Sequence, residues 1–351
     1  MPIIDDENQT YDAELSDRFN GHFFSLTNGN ITDSEGNLWY LSQEYELANF
    51  VALLETNIGI PMGRVVHNSA ADSLEIILQP FESMSFGIFA KKNRLKFLNG
   101  LWEIFGWGEF NLKNNSITTD VFPAIVSGFY LSYYEHYFAT RAKIQWRQIQ
   151  DTMITCEVTN LDKPLTKPPK LPNMPWSQSN NLRDKGQMLM LEKRSVGWSI
   201  DGKSSYVLPC DMINRIIYNS GGYTDTYNKS LDDVWQISGI DNRYVTSIVC
   251  VLQSFKQLFI ASDVYVFLSE NNNWSEIINS HLGPFGLGSV KYIDSSNGID
   301  EFAVELNANA ILIIGKLAGL WERANGKQSV CFIDLTDTEF KIKIESLLSY
   351  N

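Results

Sequence analysis

Apolar and polar positions along the chain change period in a fixed succession, and the succession occurs twice. In the first half His22-Phe23-Phe24-Ser25-Leu26 precedes the turn residues Asp33-Ser34-Glu35-Gly36 and then Leu38-Trp39-Tyr40-Leu41. In the second half Gln187-Met188-Leu189-Met190-Leu191 precedes Asp201-Gly202 and then Tyr206-Val207-Leu208. Both read as β-hairpins, because glycine in such turns supplies positive φ. A helical period follows each hairpin. It places Leu47, Phe50, Val51 and Leu54 on one face in the first half, and Met212, Ile213, Ile216 and Ile217 in the second.

Further on, Phe105-Gly106-Trp107-Gly108 matches Phe285-Gly286-Leu287-Gly288. Each closes a helical segment and opens a strand, Glu109–Leu112 or Ser289–Tyr292, with a second strand after it. A helix of like punctuation comes next: Gly128, Ser132 and Glu135 against Gly315, Gly319 and Glu322. Each half then closes on two strand patterns, Ala142–Arg147 with Met153–Thr159, and Ser329–Leu335 with Glu339–Glu345. Five correspondences in one order point to a duplication.

Between the halves lies a stretch of different chemistry. Pro164, Pro168, Pro169, Pro172 and Pro175 fall within residues 160–184. Proline fixes φ and removes a backbone donor, so this is neither helix nor central strand. It reads as a stiff linker, with Trp176 a candidate to dock it onto a domain surface. The expectation is an α+β protein of two similar domains, 18–159 and 185–348, each with helices packed on an antiparallel sheet.

Composition supports a folded chain: of 351 residues 44% are hydrophobic and 20% charged. Lys plus Arg total 28 against 41 Asp plus Glu, a net charge of −13, which disfavours non-specific nucleic-acid binding while leaving room for a local basic groove. The longest uncharged stretches, among them that between Asp120 and Glu135, are shorter than the roughly 20 residues a spanning helix needs, so no membrane span is expected. The acidic start of the chain lacks a signal-peptide pattern. Cys156, Cys210, Cys250 and Cys331 form no CxxC pair and read as core thiols in a reducing compartment, the cytoplasm.

Candidate chemistry is sparse. The glycine corners lack the third glycine and the strand-to-helix order of a phosphate-binding loop. No histidine or cysteine spacing suits a metal, and no nucleophile elbow occurs, so neither a metal site nor a catalytic residue is expected. Small residues at i and i+4 open one helix face to close approach by a helix of the same domain, by the other repeat or by a ligand. Tyr130, Tyr133, Tyr134 and Tyr137 share one face of the first glycine helix, which suits either a core or a ligand pocket. Glu135 and Glu322, the latter beside Trp321, are candidate ligand or arginine partners, with Arg141, Arg147 and Arg323 as candidate cations. Were the chain an enzyme, Glu135, His136 and Glu322 would be its acid–base groups.

Phe285-Gly286-Leu287-Gly288, the two strands after it and Ala310–Glu322 resemble the 4-vinyl-reductase-like domain. The resemblance is clearest over residues 282–344 and weaker over 100–158. It implies tandem domains of an α+β fold shared with small subunits of the TRAPP tethering complex. It also implies a small hydrophobic or tetrapyrrole-like ligand, or an assembly role. Of the cysteines many members carry, only Cys156 has a counterpart here; Lys341-Ile342-Lys343-Ile344 stands in the second half. The expected function is a non-enzymatic binding protein, a sensor, carrier or assembly factor. Its ligand pocket would lie at Tyr130, Tyr133, Tyr134, Tyr137, Glu135, Trp321 and Glu322. The alternative is a scaffold, an internal pseudo-dimer or a homodimer that binds protein partners.

Overall fold

The computed structural model describes residues 11–25, 30–81, 89–166, 170, 173–177, 188–223, 225–262, 264–268 and 274–348. The first helix among the described residues is α1 (Ala13–His22), capped by Asp12, whose side chain accepts the Leu15 N–H. Strands β1 (Phe23–Ser25), β2 (Ile31–Asp33) and β3 (Leu38–Gln43) form an antiparallel meander. Helices α2 (Glu46–Ile58), α3 (Gly63–Leu78) and α4 (Ala90–Phe105) follow. Then come β4 (Glu109–Asn111), β5 (Ser116–Thr118), α5 (Pro123–Phe138), β6 (Thr140–Gln150) and β7 (Met153–Pro164).

The second half runs through β8 (Glu192–Lys193), β9 (Trp198–Ile200), β10 (Lys203–Pro209), α6 (Asp211–Ser220) and β11 (Trp235–Ser238). It continues with α7 (Asn242–Ala261), α8 (Trp274–His281), β12 (Val290–Ser296) and β13 (Ile299–Glu305). It ends with α9 (Ala310–Asn325), β14 (Ser329–Leu335) and β15 (Glu339–Ser346). The class is α+β. One strand departs from the antiparallel expectation: β11 joins β14 in parallel.

The two expected hairpin turns are present, but their first strands lie elsewhere. Asp201 and Gly202 both have positive φ, so this two-residue turn pairs its immediate neighbours, β9 and β10. Met188 to Leu191 are not strand. In the first half β2, not the stretch at His22, pairs with β3; Leu26 and Gln187 lie outside the described residues. The closing strands stand where expected, except that β7 reaches Pro164, inside the expected linker. Over that extension only β6 pairs with it, which tolerates a proline at the end.

The halves are interlocked rather than strung apart. Strand β10 pairs antiparallel with β3, Val207 opposite Leu41, so one six-stranded sheet runs β1-β2-β3-β10-β9-β8 across both. Two further sheets, β4-β5-β7-β6 and β11-β14-β15-β13-β12, belong to one half each. Helix α2 packs on α7 and α6 packs on α3. The glycine corners seal the exchange. A Cβ at Gly106 would lie 2.8 Å from the Trp198 ring, and Trp198 Nε1 donates to the Ile104 carbonyl at 3.1 Å. Trp107 Nε1 donates to the Val207 carbonyl. Reciprocally, a Cβ at Gly286 would meet Ile31 and the Trp39 carbonyl, and Ser289 Oγ donates to Asn30 Oδ1. Each half's corner therefore closes on the other half's hairpin. Buried apolar residues from Leu15 to Ile344 form one continuous core, so residues 18–159 and 185–348 are not separate packing units.

Helix α7 is long and apolar enough to cross a membrane by length and composition alone. It is a core helix, gripped by α9 and α2, and most of its apolar window is buried.

Candidate functional site

The glycine helices meet partner helices of their own half. A Cβ on Gly128 of α5 would stand 2.3 Å from the His67 carbonyl of α3. Ser132 Oγ, one turn on, donates to the Ala71 carbonyl at 2.6 Å. In α9, Gly315 and Gly319 lie against Leu252, Phe255, Lys256 and Phe259 of α7 in the same manner. The small-residue face is thus closed by a neighbouring helix.

The tyrosine face is closed as well. Tyr133 is fully buried, edge-on to Trp102 and Phe110. Tyr130 hydroxyl donates to Asn115 Oδ1 and Tyr134 hydroxyl to Asn160 Oδ1. Tyr137 packs on Phe138 at the helix end. Protein side chains fill the space expected for a ligand.

Glu135 is buried and Glu322 partly so, and they do the same structural job. Glu135 Oε1 accepts the Ala142 N–H and Glu322 Oε1 the Ser329 N–H, each at 2.7 Å. Both tie the end of a helix to the start of the next strand, across a left-handed residue, Ala139 or Gly326. The counter-cations differ. Arg141 bridges Glu135 and Glu75, as expected for the first half. In the second half Lys256 of α7 pairs with Glu322, while Arg323 donates to the Ile260 and Val264 carbonyls. Trp321 is buried, with Nε1 donating to Asp300 Oδ2 at 2.6 Å. His136 is buried beside Glu135, and burial with nearby Arg94 pushes its pKa down to about 4. Glu135 and His136 border a space of only about 10 Å³, too small for a substrate, whereas Lys256, Glu322 and Arg323 line an open recess of about 470 Å³.

A second open space lies at the junction of the halves, beneath the docked linker. Trp176 is fully buried, and its Nε1 donates to Asn214 Oδ1 at 3.0 Å. The same amide donates through Nδ2 to Ser177 Oγ and to the Ala308 carbonyl. Asn214 thereby fixes linker residues 173–177 to α6 and to the chain before α9. A recess of about 510 Å³ remains below. Its apolar wall is Leu38, Ile76, Ile77, Met174, Pro175 and Pro209, from β3, α3, the linker and β10.

A polar cluster closes one side. Asp211, at the start of α6, receives Arg215 Nε at 2.5 Å, one helical turn away. Arg215 is buried, with Nη1 3.9 Å from Asp72. Burial raises the pKa of both Asp211 and Asp72, and the Arg215 charge opposes that rise. Ser73 Oγ is buried in the wall and faces the Asp211 carboxyl, whose charged form it favours.

Sequence reasoning placed Trp176 correctly as an anchor but missed this recess. Its available signals were the proline-flanked tryptophan and the Asp211/Arg215 pair at i and i+4 on an amphipathic helix. The lining residues are scattered from Leu38 to Ala308, so no local spacing reveals them. Among the described residues no three His, Cys, Asp or Glu side chains converge as metal ligands. No family model, no curated protein and no solved structure matches the chain.

Proposed function

We propose that the chain is a small-molecule binding protein whose ligand occupies the recess between α3, α6 and the docked linker. The volume of about 510 Å³ is the observation that carries this reading. It falls within the roughly 300–1,000 Å³ of ligand sites, and its wall combines apolar side chains with the polar groups of Asn37, Ser73, Asn173, Ser177, Asp211 and Asn214. Ser73 Oγ and the Asp211 carboxyl would orient one polar end of an otherwise apolar ligand. This keeps the ligand class that the resemblance to 4-vinyl-reductase-like domains implies, and moves the site away from the tyrosines. The ligand class here is a small hydrophobic compound.

Native mass spectrometry of the freshly purified full chain, followed by thermal-shift measurement against aromatic and medium-chain aliphatic alcohols and amines, tests the reading. Ala308→Trp should fill the recess and abolish both retained mass and thermal shift. The reading fails if the wild-type chain retains and binds none of these compounds, or if Ala308→Trp binds them equally well.

A second reading, a scaffold built as an internal pseudo-dimer, draws on the reciprocal exchange of the hairpins. Capture of a stoichiometric protein partner, undisturbed by Ala308→Trp, would favour it.

A further inference from the structure

A cleft of about 1,050 Å³ lies on another side of the molecule, between α1, α4, the start of β4 and the turn joining β8 to β9. Four cations line it: Arg18, Lys96, Lys193 and Arg194. Three carboxylates, Glu14, Glu103 and Glu109, line it as well. For a chain in which acids outnumber bases by 41 to 28, this is a local reversal of charge.

The arrangement is built rather than incidental. Glu103 receives Arg18 Nη1 at 2.8 Å and Lys193 Nζ at 3.2 Å, holding a cation from each half side by side. Those two partners pull the Glu103 carboxyl below its ordinary pKa against the opposing effect of burial, so it stays ionised as the clasp. Arg18 Nη2 also donates to the Gly100 carbonyl, which fixes the guanidinium plane and leaves its other N–H groups for a ligand. Lys96 and Arg194 are exposed and make no side-chain ion pair among the described residues. Between Ala90 and Gly100, α4 carries Lys91, Lys92, Arg94 and Lys96 with no acid. Phe97, Trp102 and Phe110 form an apolar floor, which strengthens electrostatic attraction at the cleft by excluding water. At Gly21 an added Cβ would meet nothing, so the cleft wall there is bare.

We propose that this cleft binds a small polyanion carrying at least two phosphate or carboxylate groups. One group would lie against the clasped Arg18 and Lys193, the other against Lys96 and Arg194. A guanidinium held in a fixed plane favours the bidentate geometry such groups present. The site is independent of the recess beneath the linker, and shares no lining residue with it.

The test is isothermal titration of the full chain with tripolyphosphate and, separately, with citrate, at low and at high ionic strength. Binding of either anion is expected at low ionic strength, weakened by salt; which one binds more tightly assigns phosphate or carboxylate. The double variant Lys96→Glu, Arg194→Glu should weaken binding about tenfold or more. The control Lys143→Glu, Lys341→Glu makes the same charge change on β6 and β15 and should leave affinity within about twofold. Absence of binding by both anions overturns the proposal, as does equal weakening by the two double variants. Ala308→Trp, which addresses the recess, should not alter anion binding, so failure of one site is distinguishable from failure of the other.

Discussion

Lys256 Nζ lies 2.7 Å from Glu322 Oε1, with both side chains about nine-tenths buried. The ammonium also reaches Ser329 Oγ and sits over the Trp235 ring. Removing one charge would strand the other. Glu322→Ala should therefore destabilise the protein by about 3–5 kcal/mol, whereas Lys256→Met with Glu322→Leu should recover most of the loss. Urea denaturation of the three chains checks both statements. An equal loss in the single and double variants would show that the Ser329 backbone tie, not the charge, matters more.

Glycine substitutions should split by surroundings. Gly128→Ala forces a Cβ against the His67 carbonyl, and overpacking of this kind costs about 1–3 kcal/mol. Gly21→Ala in α1 meets open space at an ordinary helical φ and should stabilise by about 0.4–1 kcal/mol. Thermal unfolding midpoints should move in opposite directions.

Acid should destabilise the fold through two histidines. His67 Nδ1 shares a hydrogen bond with Ser127 Oγ, and the ring stacks on Trp146. Burial first, then nearby Arg64, pushes its pKa down to about 4; His136 is held at about 4 by burial and Arg94. An unfolded chain binds those protons near pH 6.5, so lowering the pH favours it. Between pH 8 and pH 5 each histidine should remove about 2 kcal/mol of stability. The loss begins near pH 6.5 and is complete below pH 4. Asp72 and Asp211, with raised pKa values, act in the opposite sense. A His67→Leu chain compared with wild type at both pH values isolates the histidine contribution; an unchanged pH slope would refute it.

Trp176 anchors the roof of the recess. Trp176→Ala should cost about 3–5 kcal/mol if the linker's docking is part of the cooperative fold. Limited proteolysis should then cut near residues 173–177, which the wild-type chain protects. Unchanged proteolysis would mean that Asn214 and the prolines hold the roof without the indole.

All four thiols are buried, and burial raises the pKa of Cys156, Cys250 and Cys331 to about 12 and that of Cys210 upward. A disulfide-exchange reagent at neutral pH should label none of them in the native state and all four on unfolding. Rapid labelling of any one would locate a segment that opens without global unfolding.

Local periodicity made much of the fold legible. The spacing of Leu47, Phe50, Val51 and Leu54 gave α2, and all four are buried. The glycine corners gave the end of α4 at Gly106 and of a single 3-10 turn at Gly286, because positive φ there is a local demand. Pairing across the midline left no such trace. Nothing in Leu38-Trp39-Tyr40-Leu41 distinguishes a strand that pairs with its neighbour from one that also pairs with Tyr206-Val207-Leu208. The tyrosine face was equally ambiguous, since a core and a pocket want the same amphipathic rings; only the presence of Trp102 and Phe110 against Tyr133 decides between them. Glu135 and Glu322 were visible as a repeated pair. Their role as ties to Ala142 and Ser329 depends on a hairpin-like closure that sequence spacing alone does not draw.

The exchanged hairpins also impose an order in time. Strand β3 ends at Gln43, and its partner Ser205 is made about 160 residues later. At about 5–20 residues per second, the β3 edge waits roughly 8–30 s on the ribosome with its hydrogen-bonding groups unpaired. Throughout that interval Gly106 and Trp107 are synthesised without the Trp198 and Val207 that will cover them. The nascent first half thus remains an unfinished surface, and it is then, rather than in the mature protein, that the chain is most exposed to pairing with a neighbour.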